Sequence, residues 1–183
     1  MPRLPLPSDS EAFTEETRDA IKHILETRGG SVPPPSGFMT YAGHAGALLS
    51  DLVEHLRFHT SLTSAETELA ICVSARASNN DYIWNAHTRL GLQEGTREEA
   101  IHAVDTHAPV DGLTADEALI IRFGRELLEL PAIADDTFNA VRARYGEKGL
   151  MELVAVMSVY TMNANVLRVV GVQPAPEARH LTR

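Results

Sequence analysis

Two parts of the chain hold side chains whose types and spacing could do chemistry together. One is Glu68, and the other is the stretch 80–87, which reads Asn-Asp-Tyr-Ile-Trp-Asn-Ala-His. On a helix from about residue 80 to residue 92, a single stripe contains His87 and the residues three, four and seven positions before it, Trp84, Ile83 and Asn80, with Tyr82 on its flank. Desolvation beside an indole favours the neutral imidazole, which can accept a proton. The spacing therefore predicts a small pocket with a histidine base.

Glu68 lies early in a predicted helix that is apolar on most sides. The helix opens at a capping box formed by Thr63 and Glu66. Glu68 shares a face of this helix with Cys72, and a buried carboxylate without a partner is costly. His87 is the candidate partner. The two groups could act as an acid/base pair, directly or through a bound water.

These residues also have structural interpretations, because a single histidine near a helix end can be a hydrogen-bonded structural residue and a single tryptophan can belong to the core. His44, at the start of another predicted helix, is either structural or a contributor to the site. Arg76 could bind a substrate carboxylate, or it could pair with Glu68 or with a neighbouring subunit. His55 and His59 have i, i+4 spacing but no evident third ligand, so no metal site is expected.

Helical spacing prevails along the chain, without convincing runs of alternating β-branched residues, and this predicts an all-α fold. The predicted helices span residues 11–27, 45–60, 63–77, 80–92, 97–104, 113–130, 135–145 and 147–170. Gly91 and Gly95 are predicted to end the helix that carries His87, and Pro33 to Pro35 are predicted to form an extended connector. The tail from residue 173 is expected to be frayed. The second helix is predicted to bury Leu48, Leu49, Leu52, Val53, Leu56 and Phe58.

Composition and charge argue against several classes of protein. The formal charge of -9 is spread along the chain without a Lys/Arg cluster, so nucleic acid is not an expected partner. No apolar run approaches the roughly 20 residues of a membrane span, and the proline-rich start is unlike a secretory signal. We therefore expect a cytoplasmic protein without a membrane partner. Cys72, as the only cysteine, cannot form an internal disulfide, and its apolar neighbours predict a buried small hydrophobe.

A longer pattern connects the chain to a known family. Glu68, then Ala75-Arg76, then the stretch 80–87, then Gly95, resembles the carboxymuconolactone decarboxylase family, which includes the alkyl hydroperoxidase D-like proteins. A looser similarity runs from about residue 44 to residue 172. The resemblance implies one all-helical, alkyl hydroperoxidase D-like domain over residues 1–183, with a core at about 44–172 and the N-terminal helix and connector at 11–36. It also implies a homo-oligomer, trimeric or hexameric, with the site near a subunit interface.

The peroxidase branch of that family has a glutamate, a C-x-x-C pair and a histidine, and these positions correspond here to Glu68, Asn80, Ile83 and His87. Both cysteine positions are therefore lost. Thiol redox chemistry needs an attacking thiolate and a resolving thiol, and Cys72 lies outside the motif. A dithiol peroxidase cycle within one chain is excluded, and the acid/base half of the site remains.

The sequence thus favours an acid/base enzyme without cofactor or metal, a lyase-like or isomerase-like protein acting on a small lactone, organic acid or carbonyl compound. The reaction could be decarboxylation, isomerisation, dehydration or ring opening, since each moves a proton beside a stabilised carbanion or enolate. His87 is expected to carry the proton, with Glu68 assisting it. Trp84, Tyr82 and Ile83 would form the apolar wall of the pocket. Asn80 and Arg76 would bind oxygen atoms of the substrate. The alternatives are an oligomeric small-molecule-binding or scaffold protein and, more distantly, a redox enzyme that uses Cys72 across a subunit interface.

Overall fold

The computed structural model describes residues 2–8 and 10–183, and within them the chain forms one all-α bundle without strands. It consists of eight helices and one 3-10 turn at Thr40–Ala42. The helices are α1 (Glu15–Thr27), α2 (Pro34–Met39), α3 (Ala45–Phe58), α4 (Ser64–Ala77), α5 (Asp81–Glu94), α6 (Glu98–Thr106), α7 (Ala115–Glu129) and α8 (Asp135–Val170).

Helix α4 is the centre of the bundle, as its apolar circumference predicts. Every residue from Thr67 to Ala75 is buried, and α4 packs against α5, α7 and α8. The predicted capping box is present: the Thr63 hydroxyl accepts from the Glu66 amide, and the Glu66 carboxylate accepts from the Thr63 amide. Glu68 lies in the first buried turn, so the core of the bundle encloses its carboxylate.

Helix α5 carries the stretch 80–87 and lies directly against α4. It ends at Gly95, which has the left-handed φ of 98°. The prediction that Gly91 also ends this helix was wrong, because Gly91 is a buried residue within α5. A Cβ at Gly91 would lie 3.1 Å from Oγ1 of Thr96, closer than an ordinary contact, so the glycine leaves room for the Thr96 side chain.

The proline segment differs from the predicted extended connector. Pro33 is extended, with ψ 134°, but Pro34 and Pro35 occupy the first turn of the short helix α2. The missing amide hydrogen of proline costs nothing in a first turn, and its fixed φ suits a helix start. The segment therefore turns inward instead of running over the surface, and α2 packs against α3 and α8.

Helix α3 buries a narrower face than predicted. Leu49, Val53 and Leu56 are in the core, but Leu48, Leu52 and Phe58 are 58%, 45% and 57% exposed. The apolar side chains of α3 cover a wider part of the helix surface than the rest of the chain packs against. A broad apolar face of this kind remains on the outside of the single chain.

Helix α8 consists of two helical pieces joined at Gly146, whose φ is 68° and ψ is -179°. The predicted break between residues 145 and 147 is therefore present, because this conformation suits glycine. By length and composition, α8 is also the one helix within the described residues that could cross a membrane, and its most apolar stretch is half buried in the bundle. A helix buried in the core of a helical bundle can have the same length and composition, so these two properties do not distinguish the two cases.

The prediction that the C-terminal tail is frayed was wrong. Leu181 is 3% exposed, and its amide donates to Oδ1 of Asp81 over 2.9 Å. The Arg183 guanidinium donates to the other Asp81 oxygen over 2.6 Å, and the Arg179 amide donates to Asn85 over 2.9 Å. The tail thus packs on α5 close to the stretch that carries the candidate site.

Candidate functional site

The structure places Glu68 and His87 in direct contact between α4 and α5. Nδ1 of His87 lies 2.6 Å from Oε2 of Glu68, and both side chains are buried. The ring of Tyr160, from α8, meets the imidazole edge-on with 4.9 Å between the ring centroids. One oxygen of Glu68 and the flank of Tyr160 therefore fix the orientation of the imidazole.

Arg57, in the last turn of α3, holds the second oxygen of Glu68. Its Nη2 donates to Oε1 over 2.7 Å, and its side chain is 17% exposed. The carboxylate thus stands between a guanidinium and an imidazole. The sequence suggested Arg76, on the same helix, as a possible partner of Glu68. In the structure the arginine that contacts Glu68 is Arg57, from a different helix.

The charge of Glu68 follows from these contacts. Burial by itself would raise the pKa of this carboxyl, but the hydrogen bond of His87 together with the charge and hydrogen bond of Arg57 lowers the pKa below its usual value. An ionised carboxylate can only accept hydrogen bonds, so Nδ1 of His87 carries a proton. Nε2 is then the ring nitrogen that is left for a ligand, and in the neutral imidazole it is an acceptor.

His87 lines a cavity of about 220 Å³. The lining is predominantly apolar, with a few polar side chains among hydrophobic ones, as is usual for small-molecule sites. The cavity lies between α5, α8, the start of α2 and parts of α1 and α3. It is lined by Arg28, Pro33, Pro34, Pro35, Ser36, Val53, Arg57, Tyr82, Ile83, Ala86, His87, Leu90, Tyr160 and Asn163.

Two of the residues predicted to form an apolar wall do line this cavity. Tyr82 and Ile83 belong to its lining, next to His87. Burial raises the pKa of Tyr82, so its phenol stays protonated at neutral pH. Trp84, the third predicted wall residue, is 0% exposed and belongs to the hydrophobic core instead. The indole on the same stripe as His87 therefore supports the helix and is not part of the cavity wall.

The residues predicted to bind substrate oxygens lie elsewhere. Asn80 is the N-cap of α5: its Oδ1 accepts from the Ile83 amide over 3.0 Å, and its Nδ2 donates to the Ala164 carbonyl over 3.3 Å. Because both ends of this amide are engaged, Asn80 holds α5 against α8. Arg76 lies beside Val73 and Glu129, outside the cavity lining.

His44 is also outside the cavity. Its side chain is exposed, and its backbone amide donates to the Glu16 carboxylate over 3.2 Å at the start of α3. The His44 side chain therefore has no part in the lining of this cavity. Among the described residues, no group of three or more His, Cys, Asp or Glu side chains is arranged to hold a metal ion.

Several cavity residues were missed by sequence reasoning. Arg57 and Arg28 come from helix ends that carry no motif, and Tyr160 was counted only as an apolar residue of the last helix. Asn163 follows Tyr160 by three positions on the same face of α8, so a polar residue at an otherwise apolar helical position was the signal available for it.

Cys72 is buried in the core on α4. Burial, and then the negative charge of Glu68, raise the pKa of its thiol far above its usual range. The thiol therefore stays protonated, which disfavours nucleophilic chemistry at this residue.

A larger cavity of about 340 Å³ lies where α4 and α7 begin. Its charged side chains are already paired: Arg97 binds Glu117, and Arg144 binds Asp116. Because these pairs satisfy one another, the smaller cavity at His87 is the better candidate for a functional site.

Comparison with known proteins gives no family for this chain. No protein-family model matches it, and no curated protein matches it. The functional argument therefore rests on the geometry around His87.

Proposed function

We propose that this protein is an acid/base enzyme of the carboxymuconolactone decarboxylase-like type, in which His87 moves a proton on a small organic acid, lactone or related carbonyl compound. The observation that carries the proposal is the buried contact of 2.6 Å between Nδ1 of His87 and Glu68, beside a cavity that His87 itself lines. A carboxylate that fixes the imidazole tautomer and stabilises the imidazolium is a recurring arrangement in proton transfer.

In the proposed step, Nε2 of His87 removes a proton from a carbon next to a carbonyl group, and Glu68 stabilises the positive charge that the ring gains. Arg57 keeps Glu68 ionised and in place through its 2.7 Å contact with Oε1. Side chains supply each of these roles, so the proposed reaction requires no cofactor. Isomerisation, dehydration and ring opening can start with this proton removal, whereas in decarboxylation the enolate forms by loss of carbon dioxide and a protonated His87 delivers a proton to the carbon.

The main alternative is a binding or scaffold protein that has lost its chemistry. That alternative predicts a Glu68 that is exposed or engaged away from His87, and the direct contact between the two favours the enzyme. The second alternative, redox chemistry by Cys72, is disfavoured by the raised pKa of its buried thiol.

We also propose that the protein acts as a homo-oligomer, a trimer or a hexamer. The exposed side chains Leu48, Leu52 and Phe58 on α3 support this, because a second copy would bury them. Phe58 stacks under the Arg57 guanidinium, 4.8 Å from its ring centroid, so a copy that covers this face would lie beside the site. Light scattering of the purified protein should give three or six times the chain mass, and a monomer would contradict this part of the proposal.

The proposed reaction is tested by NMR in heavy water against a panel of lactones, keto acids and hydroxy acids. The parent protein should incorporate deuterium into, or release carbon dioxide from, at least one compound. His87→Ala and Glu68→Ala should lose this activity while they remain folded and oligomeric. His102→Ala is the matched control, because His102 is exposed on α6, away from the proposed interface, and lies outside the cavity. Equal turnover by His87→Ala and the parent would refute the proposal.

A further inference from the structure

Two residues that line the His87 cavity each have a buried polar atom without a hydrogen-bond partner in the described part of the chain. The residues are Arg57 and Asn163, and the atoms are Nε and Oδ1 respectively. The Asn163 residue as a whole is only 3% exposed. Buried polar groups of folded proteins are nearly always hydrogen-bonded, so two lining side chains with unpaired groups point to a ligand that engages them.

The chemistry of the two groups limits the ligand. Arg57 can only donate, and it carries a positive charge, so it selects an anionic oxygen such as a carboxylate. The Asn163 amide has an acceptor oxygen and a donor nitrogen, so a ligand group that can both donate and accept suits it best. A hydroxyl group is the simplest neutral group that meets this requirement, and it can accept from the amide nitrogen of Asn163 as well.

The volume of the cavity suits a small acid. Its volume of about 220 Å³ equals the liquid volume of about seven water molecules, enough for an acid of about three to six carbons. Tyr82, Ile83 and Leu90 supply the apolar surface that a short hydrocarbon chain would contact.

We propose that the His87 cavity binds a small hydroxy acid, with its carboxylate on Arg57 and its hydroxyl on Asn163. Asn163 is then the residue that distinguishes a hydroxy acid from the same acid without the hydroxyl. The assignment rests on the proposed function, because it gives the substrate class of the same site, but binding can be measured without any turnover.

The test is isothermal titration calorimetry of the parent protein with three probes of matched size: 2-hydroxybutyrate, butyrate and 2-hydroxybutyramide. Removing the hydroxyl or the charge from the probe should each weaken binding about tenfold. In Asn163→Leu, which fills similar space without a polar group, 2-hydroxybutyrate and butyrate should bind equally. Asn165→Ala is the matched control, because Asn165 is exposed on the same helix, and it should bind the three probes as the parent does.

Folding of the variant is part of the test. If the Asn163 amide serves a ligand and not the fold, ligand-free Asn163→Leu should melt at or above the temperature of the parent. An Asn163→Leu protein that is clearly less stable, or that keeps the preference for the hydroxy acid, would overturn the inference. So would a parent protein that binds the three probes equally or binds none of them.

The two proposals fail in different ways. Selective binding of 2-hydroxybutyrate without proton exchange in heavy water would refute the enzymatic function and leave the binding assignment intact. Proton exchange on carbonyl compounds without any preference for a hydroxyl would refute the binding assignment and leave the enzymatic function intact.

Discussion

Replacing Glu68 by glutamine should reverse the tautomer of His87. Glutamine keeps the shape of the side chain, but its two ends differ: one oxygen accepts and one nitrogen donates. Arg57 can only donate, so it selects the amide oxygen, at the position of the present 2.7 Å contact. The amide nitrogen then faces Nδ1 of His87, which must become the acceptor. The ring proton moves to Nε2, the nitrogen that faces the ligand, and the base is lost.

The size of the effect follows from the geometry. A comparable tautomer error in a triad of Ser, His and Asp lowers the rate about 10⁴-fold, which corresponds to about 5.5 kcal/mol on the barrier. Stability should fall far less, because both hydrogen bonds of Glu68 survive without their charge assistance. At about 1 kcal/mol for each bond, the loss in the free energy of unfolding is about 2 kcal/mol.

Two assays separate these effects. Nitrogen-15 NMR of His87 should show the protonated nitrogen at Nδ1 in the parent and at Nε2 in Glu68→Gln, and urea denaturation gives the stability. Adding Arg57→Leu to Glu68→Gln frees the amide to turn its oxygen toward Nδ1, so the double variant should recover the parent tautomer. An unchanged tautomer in Glu68→Gln, or a double variant that keeps the tautomer of the single one, would refute this reasoning.

Three further predictions concern residues around the site. Leu181→Ala should lower the free energy of unfolding by about 2 kcal/mol, since Leu181 is buried by the packed tail, and an unchanged urea midpoint would mean that the tail is free in solution. The pKa of Glu68 in the folded protein lies below its ordinary value of 4.5, so ionised Glu68 stabilises the fold fully above pH 4.5. This stabilisation is lost as the pH falls through the pKa of the folded state. Urea denaturation should therefore show a steeper loss of stability in acid for the parent than for Glu68→Gln. Cys72→Ala should cost about 1 kcal/mol of stability and leave proton exchange unchanged, because the thiol is buried and protonated, and a matching loss of activity would revive a role for Cys72.

Local chemistry in the sequence was enough to predict most of the helices. Thr63 and Glu66 predict the start of α4, because a capping box depends only on residues that are close in sequence. The partnership of Glu68 with His87 was also accessible, since a carboxylate in an apolar helix must find a partner in the fold.

What the sequence could not supply was pairing across distant elements. Arg57 reaches Glu68 from another helix, and no spacing rule connects the two. The prolines that line the cavity were assigned to a connector, because a run of prolines is compatible with both an extended segment and the first turn of a helix. Trp84 was placed in the wall because a helical stripe shows which residues share a face but not how deep each one lies.

The most direct test of the central claim is the rate of deuterium incorporation in heavy water, measured side by side for the parent and His87→Ala on the best compound of the acid and lactone panel. We predict measurable exchange by the parent and a loss of at least about a hundredfold in His87→Ala, with His102→Ala unchanged. Equal rates in folded parent and His87→Ala proteins would show that proton transfer does not depend on His87, and would contradict the account.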